Sequence, residues 1–114
     1  MAISETKHIL KFASNALSNE VIIDVRDMIV ALSTTSAFVG VTLAAEFSFD
    51  NGTTWVSVAD QAGTQVCKIV DGSLASGAGY SLADDEWDVT SRLKLRSSSA
   101  SEVGPVTLIT KRRG

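Results

Sequence analysis

Apolar side chains recur at every second position along much of this chain. Over residues 38–49, Val39, Val41, Leu43, Ala45, Phe47 and Phe49 alternate with Phe38, Gly40, Thr42, Ala44, Glu46 and Ser48. A period of two places one set on one face of a strand, whereas a helix would scatter it. Residues 89–96 repeat the pattern, with Val89, Ser91, Leu93 and Leu95 facing one way and Thr90, Arg92, Lys94 and Arg96 the other. Residues 6–12 give a first strand with His8, Leu10 and Phe12 opposite Lys7, Ile9 and Lys11. Val21, Ile23 and Val25 share a face over residues 20–25, and residues 27–33 continue after a kink.

Turn chemistry separates these segments. Asp50-Asn51-Gly52-Thr53 predicts a tight hairpin, because Asn-Gly accepts the positive φ angles such a turn requires. Residues 54–59 return along it. Residues 64–70 form a further strand ended by Asp71-Gly72, and a Gly-rich loop over 73–79 leads to a short strand at 80–82. Asp84, Asp85, Glu86 and Asp88 make an acidic loop around Trp87. Residues 97–101 are a polar turn. The last strand, 103–110, carries the chain's one proline, Pro105, which predicts an edge or bulged position. Residues 111–114 read as a short basic tail. Seven to nine short strands with frequent turns predict one antiparallel β-sandwich over residues 1–114, Ig-like or jelly-roll-like. No amphipathic helix separates the strands, which excludes a parallel β/α fold.

Composition narrows the function. The chain is 45% hydrophobic and 20% charged, the balance of a folded domain rather than a disordered one. A net charge of −3 gives no general attraction to nucleic acid or an anionic membrane. No apolar run approaches the roughly 20 residues that span a bilayer. Residues 1–7 show no signal-peptide pattern, which points to folding in a reducing cytoplasm. A single cysteine, Cys67, excludes an internal disulfide, and alternation with Ile69 marks it as a core thiol. A single histidine, His8, leaves no two-histidine catalytic arrangement. With no nucleophile–base pair, metal-ligand spacing or phosphate loop, the expectation is a non-enzyme without cofactor or metal. The acidic loop lacks the glycine of an EF-hand and reads as solvated.

Two features point to surfaces. Arg92, Lys94 and Arg96 form a cationic stripe on one strand face, either a solvated face or a docking site for an acidic partner. A mean hydropathy of +0.19 together with low charge predicts apolar area suited to an assembly.

Ser48, Asp50, Gly52 and Trp55 fit Ser-x-Asp-x-Gly-x-Thr-Trp, which resembles the Asp box, a structural hairpin of sialidase-type propellers. One box and 114 residues are too few for a propeller, so the resemblance implies a rigid hairpin. That hairpin and the later Trp87-Asp88-Val89-Thr90-Ser91-Arg92 run resemble small all-β virion proteins of tailed bacteriophages. The resemblance implies a capsid decoration or cement protein with a broad interface, for which Tyr80, Trp87, Arg92, Lys94 and Arg96 are the candidate anchors. It would bind the major capsid protein or other virion proteins, form a homo-oligomer (a trimer above all), and reside in the virion. A carbohydrate- or receptor-binding sandwich and a tail or neck component are the alternatives.

Overall fold

The computed structural model describes residues 5–24, 26–58, 61–65, 67–82 and 92–112. Among them lie β1 (Glu5–Leu10), β2 (Val21–Ile22), β3 (Asp27–Thr34), β4 (Thr42–Phe47), β5 (Val56–Ser57), β6 (Lys68–Val70), β7 (Gly79–Ser81), β8 (Arg92–Ser97) and β9 (Val106–Arg112). They form two antiparallel sheets. The first has the order β1-β9-β3-β7 and the second β2-β8-β4, where β5 and β6 divide the far edge of β4 between them.

The pairings nest. β1 pairs with β9, β2 with β8, β3 with β7, and β4 with β5 and β6. The chain is thus one long hairpin, rolled until β9 meets β3 and β8 meets β4. This is the jelly-roll order, so of the two sandwich types expected the structure adopts the second. Inward side chains from both sheets fill the space between them. Leu10, Ile29, Leu32, Val106 and Leu108 come from the first sheet and Leu43, Ala45, Phe47, Leu93 and Leu95 from the second. Phe12 and Phe38 meet edge to face, ring centres 6.0 Å apart, the arrangement that aromatic quadrupoles favour. Cys67 is buried in this core.

Several local expectations are corrected. The alternation over 38–49 holds only through Leu43, Ala45 and Phe47. Val39, Val41 and Phe49 are exposed while Phe38 is buried, because the ladder spans only residues 42–47. The opposite face of β4 is buried as well: Ala44 and Glu46 lie between strands β8 and β5 or β6. Pro105 does not push the last strand to an edge. β9 is central, flanked by β1 and β3, and the proline precedes its first paired residue, Val106, where no ladder N–H is needed. The irregularity falls on β3 instead, where the register with β9 shifts between Ile29 and Ala31. The basic tail is shorter than expected, since Lys111 and Arg112 complete β9 and the Arg112 guanidinium contacts Asp27 Oδ1 at 2.9 Å.

His8 is half-buried on the inward side of β1, its Nε2 3.4 Å from Thr110 Oγ1. Burial lowers its pKa below 6.5, and the nearby Asp27 charge opposes this only in part. The unfolded chain therefore takes up this proton more readily than the folded one. Stability should fall as pH drops from about 6.5 through the folded-state pKa. Urea titrations between pH 7 and 5 on the native chain and on His8→Gln measure it, and the variant should lose that part of the slope.

Candidate functional site

The outer faces of the two sheets differ in kind. On the second sheet, β8 presents Arg92, Lys94 and Arg96 on one side because Leu93, Leu95 and Ser97 turn inward. Each cation is engaged within the chain. Arg92 contacts Glu20 at 2.6 Å, Lys94 Nζ stands 4.6 Å from the centre of the Trp55 ring, and Arg96 Nε meets Glu46 at 2.5 Å. Register explains the last pair: Glu46 faces Lys94 across the ladder, and Arg96, one step diagonal, reaches back to it. Glu46 is almost wholly buried, so removing its partner strands a carboxylate. Arg96→Ala should cost about 1–2 kcal/mol, reduced from the fully buried case because the arginine itself is half exposed. A double-mutant cycle with Glu46→Gln measures the coupling.

The hairpin after β4 is held by its own polar groups. Ser48 Oγ accepts the Gly52 N–H at 2.7 Å and donates to Asp50 Oδ1 at 2.9 Å. Asp50 Oδ1 also accepts the Thr54 N–H at 2.7 Å. That backbone bond, above all, lowers the Asp50 pKa. Trp55 folds back to donate from Nε1 to the Gly52 carbonyl at 3.1 Å. Asn51 and Gly52 both take positive φ, 59° and 89°. The four residues singled out in the sequence thus come together as one rigid turn, and its tryptophan supplies the ring beneath Lys94.

Tyr80 does not join the cationic stripe. It lies on β7 in the other sheet, opposite the buried Leu32, and packs against the core. Its hydroxyl donates to Asp71 Oδ2 at 3.1 Å. Trp87 and the acidic loop lie outside the described residues, and with them the anchor of the carbohydrate-binding alternative.

The outer face of the first sheet was not legible as a site. Ladder registers place Ile9, Thr107, Ser33 and Gly79 in one row across all four strands. The next row is Lys7, Ile109, Ala31 and Ser81. Across two full rows the one charge is Lys7, on the edge strand. Apart from Lys7 these rows carry small and β-branched side chains, and the adjoining outward row carries Glu5 and Lys111. Neither row is visible as a pattern in the sequence, because its members come from four separate segments.

Glu102 was also missed. It is fully buried and binds the segment before β4 to the one before β9. Among the described residues no three His, Cys, Asp or Glu side chains converge as metal ligands. No protein-family model matches the chain, and no curated protein matches it.

Proposed function

We propose that this chain is a structural protein of a tailed-phage particle, docking as a rigid jelly roll on the assembled head and stabilising it. The observation that carries the reading is a strip on the outer face of the first sheet, two rows whose one charge is Lys7 at the edge, bordered by Glu5, Lys11 and Lys111. Surfaces poor in charge lose little on desolvation and suit the centre of a protein interface. The jelly roll, a fold of viral capsid and lectin domains, supports the reading by analogy alone. The opposite face, with its cations engaged internally, would remain toward solvent. The mechanism is mass action: a protein that binds the assembled lattice, but not its separated subunits, shifts the equilibrium toward assembly.

The test is co-sedimentation with assembled heads and with dissociated capsomers of the phage whose genome encodes the chain. Stoichiometric binding to heads alone, with a raised temperature of head disruption, is the expected result. Ala31→Glu and Thr107→Glu should abolish binding while leaving the fold intact, since both side chains sit on the outer rows. Equal affinity for free capsomers, or no loss in these variants, would overturn the reading.

A further inference from the structure

Among the described residues β1 is the longest edge strand. It closes the first sheet over six residues, whereas β2, β5, β6 and β7 have two or three each. Its pairing with β9 runs from Glu5 to Leu10 without a register shift, and it contains no proline. A straight, regular edge of this length is a template for another strand.

Its side chains decide which strand fits. Glu5, Lys7, Ile9 and Lys11 are all exposed, while His8 and Leu10 turn toward the core. If a second copy adds antiparallel across a two-fold axis, matching faces stay on the same side only when the axis passes through a residue. Two such registers overlap five strand residues. An axis at Lys7 sets Lys7 against its own copy, a like-charge contact that disfavours pairing. An axis at His8 sets Glu5 opposite the second copy's Lys11, twice by symmetry, and covers the exposed Ile9 with the aliphatic stem of Lys7. The backbone at Lys11 is held by Asn19, whose Oδ1 accepts its N–H at 2.7 Å and whose N–H donates to its carbonyl at 3.0 Å.

We infer that two copies of this chain pair through β1, antiparallel about His8, giving one continuous eight-stranded sheet locked by reciprocal Glu5–Lys11 contacts. The two outer faces then lie side by side as one surface, with Glu5, Lys7 and Lys11 of both copies along the seam. The pairing is independent of the docking role; a chain that docks as a monomer would fail the test below and pass the one above.

Sedimentation equilibrium of the full chain should give twice the 12.0 kDa monomer mass. Glu5→Lys and Lys11→Glu, both at exposed positions, should each weaken dimerisation about tenfold or more, since each converts two attractive contacts into two repulsive ones. The double swap Glu5→Lys/Lys11→Glu should restore it. A native chain that stays monomeric, single variants that dimerise normally, or a double swap that fails to restore pairing would each overturn the inference. Rescue by Glu5→Lys/Lys7→Glu in place of the Lys11 swap would overturn the register.

Discussion

Glu102→Ala should destabilise the fold by about 4 kcal/mol, among the largest effects of any single substitution in this chain. The carboxylate is fully buried and takes five hydrogen bonds. Oε1 accepts the Gly40 N–H and the Ser97 hydroxyl, each at 2.7 Å. Oε2 accepts the N–H groups of Val39 at 2.8 Å, Gly104 at 3.0 Å and Val103 at 3.1 Å. Truncation leaves these donors facing a cavity, and each buried donor without a partner costs roughly 1–3 kcal/mol. Local relaxation that admits water keeps the total well below the simple sum.

The same cradle makes stability depend on acid. Burial is the strongest single influence on the Glu102 carboxyl and pushes its pKa up. The Ser97 hydroxyl and the backbone N–H groups of Val39, Gly40 and Gly104 together outweigh it, so the folded-state pKa lies below the ordinary value. Below the pKa of the unfolded chain, about 4.3, the unfolded state binds the proton first. The contribution is complete above that value and is lost as pH falls through the folded-state pKa. Glu102→Gln should be destabilised at neutral pH, because an amide nitrogen then confronts N–H donors, and its stability should vary less below pH 4. Urea unfolding at pH 7 and pH 3 separates the two effects. An unchanged acid slope in the glutamine variant would show that other carboxylates govern it.

Gly104→Ala should cost about 3 kcal/mol, at the upper end of what overpacking usually costs. A β-carbon there would lie 2.6 Å from Phe38 Cα, 2.7 Å from Phe38 N and 3.0 Å from the Ala37 carbonyl carbon. All three are backbone atoms, so no rotamer change relieves the contact. Moving the two segments apart also pulls the Val39 and Gly104 N–H groups from Glu102, so this substitution and Glu102→Ala should cost less together than their sum. Gly72→Ala is the control: nothing lies within 4 Å of its β-carbon and its φ is not in the positive region. It should change stability by no more than about 0.5 kcal/mol. Thermal unfolding of the three variants side by side tests this ranking.

These two residues also show where reading the chain stops. Glu102 stands in Ser99-Ala100-Ser101-Glu102-Val103-Gly104, a stretch that looks like solvated turn. Its role depends on Val39 and Gly40, more than sixty residues away. Pro105 misled for a related reason, since its tolerance in the middle of a sheet depends on which residue begins the ladder. Val39, Val41 and Phe49 continue an alternation whose inward sense ends where pairing ends.

Local physics, by contrast, was written in neighbouring residues. A period of two placed Leu93 and Leu95 inside and Arg92, Lys94 and Arg96 outside. On β1 the same rule grouped His8 with Leu10 opposite Lys7 and Ile9, though only the structure shows which set turns inward, and Asn51-Gly52 marked the positive-φ turn. Strand formation and turn geometry rest on a few adjacent dihedrals, so a linear reading reaches them. Which strands pair, which side chains share an outer row and which carboxylate is buried rest on contacts between distant segments. β1 meets β9 across nearly the whole chain, and only the rolled hairpin brings Ile9, Thr107, Ser33 and Gly79 into one row.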